Sequence, residues 1–317
     1  MKNSYLLIIL IILAGGYFLL KNVKSPQREK NYKIPEIIMD TAKVNEIKLY
    51  TKAQDHQELK FVKEKDQWML GTGDKNFKAQ RSRVKAMIYE LSNLKIDRVV
   101  STQKDKWMEY EVDDSSGSRV VVYERGKEIL DLYIGKLSFV QNPSAMQQQQ
   151  PSGLSYIRFN NSNEVLVTEG FLPITFNQAI GSFRDNTFIK AEKDNISRIE
   201  FEYPSDSSFA IYKRDSAWYI GDLKIDTDKT EAYLQEVSKR KMPDFADEYK
   251  VIREPDFQLK LSGTNMEEVT IKVYQEEEEY YMQSSANMQT MFKSNGSGVF
   301  AKLFKGKKFF KEKNSLQ

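Results

Sequence analysis

One pattern of strands and a helix occurs twice along the chain, about 150 residues apart, and this repeat limits the fold more than any other feature. In the first copy Ile47 and Leu49 alternate with polar residues, which is the period of a half-buried strand. Ile199 and Phe201 repeat that alternation in the second copy. In both copies two further short segments alternate in the same way, and the last of them carries a tryptophan. The chain is therefore expected to build one β-rich arrangement twice.

A helix follows these strands in both copies. The segment that begins at Met87 aligns without gaps with the segment that begins at Tyr233, and the two share three identities. In the second copy Asp228 followed by Glu231 predicts a capping box, in which a side chain accepts a hydrogen bond from an open backbone N–H of the first turn. The residues spaced along one side of the first helix are Val84, Met87, Ile88, Leu91, Leu94 and Lys95.

Both copies then continue with two strands, a Tyr-led strand and a short apolar segment, in the same order. The matching order predicts an α+β fold with an N-terminal transmembrane helix followed by two tandem β-rich repeat units, each with antiparallel strands and one main helix. The boundaries expected from the pattern are an anchor at 1–24, a spacer at 25–40, the first unit at 41–186, the second unit at 187–304 and a basic tail at 305–317.

The expected anchor rests on the apolar start of the chain. Residues 5–20 contain no charged side chain, and as a helix they would reach roughly 24 Å, a little less than the bilayer core. The alternative is a cleavable signal peptide, although the small residues at 14–16 are followed by more apolar residues. The count of Lys and Arg after this segment favours a cytoplasmic domain, whereas a short tail before a long soluble region is typical of an exporting signal-anchor.

Composition excludes several classes of enzyme site. The 317 residues include no Cys, so a Cys nucleophile, a disulfide and a thiolate metal site are excluded. The one His, His56, lies in a polar, charged stretch that is typical of a loop. Asp113-Asp114 and residues 276–279 are acidic clusters without the spacing of a calcium loop, which favours solvated turns. We therefore expect no enzyme and no catalytic, cofactor-binding or metal-binding residue.

The basic tail carries phenylalanines among its lysines, and this mixture is typical of a segment that contacts an anionic membrane surface or a partner. The alternative is a frayed terminus whose aromatic side chains pack on the second unit. Because the net charge of +3 comes from the tail, no nucleic-acid partner is expected for the rest of the chain. The residues expected to make the surface contact are Lys305, Lys307, Lys308, Phe309 and Phe310.

Arg184 and Asp185 lie where the two expected units meet. We expect Arg184 to reach a carbonyl or carboxylate of the neighbouring unit and Asp185 to cap the next turn, which makes the pair an inter-unit contact rather than a ligand site. The Gln-rich residues 141–150 are low in complexity and predict a mobile hairpin excursion, with a partner-binding role as the alternative.

The order of these motifs resembles a bacterial family of membrane-anchored proteins known as domain-of-unknown-function family 4340. The residues that carry the resemblance span nearly the whole chain, and the Tyr110–Asp114 run and the Gln-rich segment depart from the usual pattern. The matching motifs are KDQWML at 65–70, LKIDRVVS at 94–101, YIGK at 133–136, YIR at 156–158, EVLV at 164–167 and FRDN at 183–186.

The resemblance implies a function but no catalytic residues. Members are similar in being encoded beside ABC-type export systems of the gliding-motility kind, and they look like extracytoplasmic accessory proteins. The resemblance thus implies a non-enzymatic accessory or scaffold protein on the bacterial cytoplasmic membrane, with ABC-type permease or ATPase subunits as partners. The alternative is an envelope binding module for a polymer or a small ligand.

Overall fold

Antiparallel strands dominate the computed structural model, which describes residues 37–140 and 152–311. Strands account for 43% of these residues and helices for 20%, and the strands form two large antiparallel sheets. The expected α+β class is therefore corrected to a mostly β fold. The physical reason is that each amphipathic helix is short and covers sheet residues, while the long-range contacts lie mainly between strands.

No helix in the described ranges is both long enough and apolar enough to cross a bilayer. The expected transmembrane helix at the start of the fold class falls on residues 5–20, which lie outside those ranges. That part of the expected fold class is not supported.

The first sheet has nine strands in the order β4-β3-β2-β1-β6-β7-β8-β9-β5, and every neighbouring pair is antiparallel. Its central strands alternate as the sequence predicts, since Ile47, Leu49, Leu59 and Phe61 are fully buried. The strands are β1 Val44–Tyr50, β2 Glu58–Glu64, β3 Gln67–Thr72, β4 Lys75–Lys78, β5 Ile96–Ser101, β6 Ser118–Glu124, β7 Lys127–Val140, β8 Ser152–Phe159 and β9 Val165–Glu169.

The second sheet has eight strands in the order β13-β12-β11-β10-β14-β15-β16-β17. This order matches that of β4 to β9 in the first sheet strand by strand, except that the described residues contain no full counterpart of β5. The strands are β10 Ile196–Glu202, β11 Phe209–Arg214, β12 Ala217–Ile220, β13 Leu223–Lys224, β14 Phe257–Gly263, β15 Val269–Glu276, β16 Glu279–Ser284 and β17 Met291–Asn295.

One longer helix follows the fourth strand of each sheet. Helix α1, Arg81–Ser92, buries Val84, Met87, Ile88 and Leu91, which lie on one helical face. It ends before Leu94 and Lys95, although the sequence pattern placed both on its stripe. Three short helices are α2 Leu172–Phe176, α4 Val299–Leu303 and α5 Lys307–Phe310.

The second long helix, α3 at Thr227–Val237, buries Thr230, Tyr233, Leu234 and Val237 with the same spacing as α1. Its cap differs from the predicted one. The side chain of Asp226 accepts a hydrogen bond from the backbone N–H of Lys229, so the capping box expected at Asp228 and Glu231 is wrong by two residues.

Candidate functional site

The candidate site lies where an edge of the first sheet meets an edge of the second. The backbone N–H of Gln80 donates to the carbonyl of Phe183 at 2.7 Å, and the N–H of Asp185 donates to the carbonyl of Lys78 at 2.8 Å. Arg184 forms an isolated antiparallel bridge with Ala79. The chain segment around Arg184 is therefore held against the β4 edge of the first sheet.

A second segment runs along the β17 edge of the other sheet. The N–H of Ala246 donates to the carbonyl of Met291 at 2.8 Å, and the N–H of Lys293 donates to the carbonyl of Asp244 at 2.9 Å. Phe245 is bridged to a residue of β17. These contacts bring Asp247, the next acidic residue of the segment, to the first sheet.

Arg184 joins the two edges through its guanidinium group. Its two terminal nitrogens donate to the two carboxylate oxygens of Asp247 at 2.6 and 2.8 Å, a bidentate geometry. The guanidinium carbon lies 3.7 Å from the ring centroid of Phe77 and 3.8 Å from that of Phe245. With 3% of its side chain exposed, Arg184 is stacked between one ring from each side of the junction.

Asp185 makes a local contact rather than an ion pair. Its carboxylate accepts a hydrogen bond from the backbone N–H of Thr187 at 3.0 Å, which closes a tight turn. Its backbone carbonyl accepts from the side-chain amide of the buried Asn287 at 2.9 Å. The two residues predicted as an inter-unit contact thus lie at the junction, where Arg184 bridges and Asp185 shapes the turn.

A cavity of about 340 Å³ opens beside this ion pair. Lys75 and Phe77 line it from the first sheet, and Tyr249, Gln283 and Met291 are among the residues that line it from the other side. The ring of Tyr249 stacks on that of Tyr281 with centroids 4.0 Å apart. The lining mixes aromatic, thioether, amide and charged groups, which is the composition of a ligand-binding pocket.

The rim of the cavity is both charged and apolar. Lys75 donates to Glu248 at 2.9 Å, and this hydrogen bond and charge raise the pKa of Lys75. Val251 and Met288 line the cavity, and the neighbouring Ile252 is 88% exposed. Three apolar side chains exposed next to a fixed junction are typical of a surface that contacts another molecule.

The residues expected to contact a membrane surface are only partly at the surface. Phe310 is fully buried in the core of the second sheet, and Phe309 packs against that core. Lys307 and Lys308 are exposed, whereas Lys305 is half-buried and its carbonyl accepts from the hydroxyl of Tyr203. The two aromatic side chains therefore belong to the fold.

The acidic clusters lie in turns. The carboxylate of Asp113 accepts hydrogen bonds from the backbone N–H groups of Ser115 and Ser116 at 2.9 and 3.1 Å. Burial alone would raise the pKa of Asp113, but these hydrogen bonds outweigh burial and lower it. Residues 276–279 form the hairpin between β15 and β16. His56 is half-buried, and its Nε2 lies 2.9 Å from the carbonyl oxygen of Ser115. The described residues contain no group of three or more His, Cys, Asp or Glu side chains placed to hold a metal ion.

Sequence reasoning missed the partners of Arg184. Asp247 is 63 residues away along the chain, and neither it nor Phe245 belongs to a regular strand or helix. The one available signal was the position of Arg184 between two β-rich patterns, which predicted a carbonyl or carboxylate partner without identifying it.

Comparison with known proteins identifies a family and no activity. The family model described as Domain of unknown function (DUF4340) matches residues 70–260, which is more than half of the 317 residues and includes both sides of the junction. No curated protein and no solved structure matches the chain significantly.

Proposed function

The chain belongs to the DUF4340 family, and on that premise we propose that it is a non-enzymatic accessory or scaffold protein of an ABC-type transport or gliding-motility-like envelope complex. Its docking site is the apolar rim of the junction cavity, formed by Val251, Ile252 and Met288. Its partners are the permease or ATPase subunits of that complex, as the family resemblance implies.

The observation that carries the proposal is the exposure of this rim beside the ion pair of the buried Arg184 with Asp247. An apolar side chain such as Ile252, with 88% of its surface exposed, contributes little to the stability of its own fold. The bidentate pair next to it holds the two segments of the junction in one arrangement. A fixed apolar rim with charged neighbours has the anatomy of a protein–protein contact.

The test is capture of the partner by the full-length protein. The protein is crosslinked in native envelopes and purified, and the permease and ATPase subunits are quantified by mass spectrometry. Because a central apolar contact contributes 2 kcal/mol or more, Ile252→Asp is expected to lower the captured amount by about 10-fold or more. Met288→Asp should have a similar effect.

The matched control is Leu223→Asp. Leu223 is also a large exposed apolar side chain, but it lies in β13 at the opposite edge of the second sheet from β17. It should leave the captured amount unchanged. Equal capture by Ile252→Asp and Leu223→Asp, or no enrichment of these subunits over an unrelated envelope protein, would contradict the proposal.

A second candidate function is an envelope binding module for a small ligand or a polymer end. The observation that favours it is the junction cavity of about 340 Å³, which falls in the range of small-molecule sites. Short oligosaccharides and polar metabolites would then raise the melting temperature of the protein, and Tyr249→Ala would abolish that rise. A rise that Tyr249→Ala leaves intact would place the ligand elsewhere.

A further inference from the structure

A carboxylate on helix α3 fills a site in the second sheet. Glu231 on α3 accepts hydrogen bonds from the indole N–H of Trp218 at 3.0 Å and from Lys213 at 3.1 Å, and Lys193 lies 3.1 Å from its other oxygen. Burial alone would raise the pKa of Glu231, but these donors outweigh burial and lower it. One carboxylate therefore contacts three donors. Two come from the neighbouring strands β11 and β12, and the third comes from the turn before β10.

The first sheet builds the same arrangement. Lys63 lies opposite Trp68 on β2 and β3, as Lys213 lies opposite Trp218 on β11 and β12. The strands β1 and β10, which precede these pairs, share the same register shift at their first residues. The donors of the second-sheet site, one lysine and one indole, therefore recur at the equivalent place in the first sheet.

The acceptor does not recur. The buried positions of α1 and α3 match in spacing, with Val84 in the place of Thr230, so Lys85 takes the place of Glu231. The position that holds a carboxylate in the second sheet thus carries a third positive group in the first. The first sheet therefore has the donors of the site, but Lys85 stands where the second sheet has the Glu231 carboxylate.

A cavity of about 310 Å³ lies at this place. Lys63, Lys85 and Arg81 line it, and none of the three forms an ion pair with any residue of the described ranges. Asp66 contributes one carboxylate to the lining, so three positive groups are set against one negative group. The excess of positive charge favours a negatively charged occupant.

Trp68 supplies a donor for such an occupant. Its side chain lines the cavity, and its indole N–H donates to no described residue. The equivalent N–H of Trp218 donates to the carboxylate of Glu231.

The start of α1 adds to the same field. The helix begins at Arg81, its first turn contains no acidic residue, and its N-cap Gln80 makes no side-chain hydrogen bond. The N-terminal end of a helix carries partial positive charge, so it adds to the positive charge of Arg81 in favouring an anion close by.

We propose that this cavity, between α1 and the β2–β3 hairpin, binds a small organic anion whose carboxylate or phosphate group takes the position that the Glu231 carboxylate holds in the second sheet. The indole N–H of Trp68 and the ammonium groups of Lys63 and Lys85 bind the oxygens. The exposed ring of Tyr89 and the side chain of Ile88 lie along the rest of the ligand.

The test follows the indole N–H signals of the full-length, nitrogen-15-labelled protein by NMR. The chain has three tryptophans, and Trp68→Phe and Trp218→Phe assign the two signals of interest. Inorganic phosphate, acetate and succinate are titrated separately. The Trp68 signal is expected to shift to saturation with at least one of them, while the Trp218 signal, already bonded to Glu231, stays in place.

Lys85→Glu restores the carboxylate of the second-sheet site and is expected to weaken binding by about 10-fold or more, because a charge-assisted contact is replaced by repulsion. It should also move the Trp68 signal towards its anion-bound position without added anion. Lys52→Glu, an equal change of net charge at an exposed residue outside the cavity lining, should leave binding unchanged.

Saturation by phosphate alone or by the carboxylates alone distinguishes the two forms of the ligand group, and either supports the proposal. Equal shifts of the Trp68 and Trp218 signals, no shift of Trp68 with any of the three anions, or equal losses of binding in Lys52→Glu and Lys85→Glu would overturn it. If Lys85→Glu does not fold, Lys85→Gln provides the same comparison with a smaller expected loss.

Discussion

Glu231 and Lys85 occupy the same place on corresponding helices but carry opposite charges. The donors around Glu231 therefore have an acceptor, and the corresponding donors around Lys85 do not. In the second sheet the carboxylate of Glu231 satisfies Trp218, Lys213 and Lys193, so the site is complete without a ligand. In the first sheet the donors have no such acceptor. A fold that is used twice can thus keep one copy of a site for stability and leave the other open for binding.

The completed site makes stability depend on pH through Glu231. Its hydrogen bonds hold the pKa below the ordinary value of a glutamate, so the unfolded chain binds a proton more readily than the folded one in acid. The contribution of Glu231 is therefore present near neutral pH and is lost as the pH falls below about 4.3, the value of an unfolded-state glutamate.

Glu231→Gln is expected to lower the free energy of unfolding at pH 7 by about 1 to 2 kcal/mol, because three donors lose a charged acceptor. The difference from the natural chain should shrink as the pH approaches 3. Urea unfolding across this range measures both effects. Glu236→Gln on the same helix is the control, since its exposed pair with Lys302 should contribute little. A loss for Glu231→Gln that is the same at both ends of the range would contradict the assignment.

Helix α3 shows, at the scale of one element, why the position of a cap is hard to read from sequence. Both Asp226 and Asp228 are suitable cap residues, and Glu231 lies three residues after the second of them. The structure uses Asp226, since Glu231 is directed to Trp218 instead of the helix start. A contact with a neighbouring strand has overridden a local signal.

Asp226→Ala is expected to destabilise the protein by about 1 kcal/mol, because the N–H of Lys229 loses its acceptor. Asp228→Ala should cost only about 0.3 kcal/mol, the size of a charge effect at an exposed helix start. Chemical denaturation followed by circular dichroism measures both. An equal loss for the two variants, or a larger one for Asp228→Ala, would return the cap to the position that the sequence indicated.

Local pattern predicted the strands well and their partners poorly. The alternation at Ile47 and Leu49 corresponds to buried positions of β1 because the period of a strand is a local property. The pairing of β5 with β9 at the end of the first sheet brings together residues far apart in the chain, and nothing in either segment encodes it. The expected α+β class was also wrong, because it gave one long helix per copy too much weight against sheets of nine and eight strands.

The same limit explains the candidate site. Arg184 was accessible to sequence reasoning because a lone arginine between two repeats needs an acceptor, whereas Asp247 lies in a segment without regular structure. The anion cavity was within reach, since the ungapped match of Met87 with Tyr233 already places Lys85 opposite Glu231. A comparison of the two copies for differences, rather than identities, would have indicated it.

At the scale of the whole molecule, Arg184 and Asp247 are the most buried ionic link between the segment on the β4 edge and the segment on the β17 edge among the described residues. Removing Arg184 loses two charge-assisted hydrogen bonds, which costs about 2 kcal/mol, because the Asp247 side chain that is left behind is 27% exposed. The two stacked rings, Phe77 and Phe245, belong to opposite sides of the junction, so they would also lose their common contact. The pair should therefore couple the unfolding of the two sheets.

Arg184→Gln is expected to lower the free energy of unfolding by about 2 kcal/mol and to separate the unfolding of the two sheets. Hydrogen exchange in moderate urea, read by mass spectrometry on peptides of β1 and β10, should change from one common rate to two.

The control is Arg119→Gln, which breaks a bidentate pair with Asp131 inside the first sheet and should destabilise the chain without separating the rates. Because Asp247→Asn removes the charge left behind, adding it to Arg184→Gln should cost less than the sum of the two single changes. A single exchange rate in Arg184→Gln would mean that the backbone pairing around Phe183 and Asp185 couples the sheets without the ion pair.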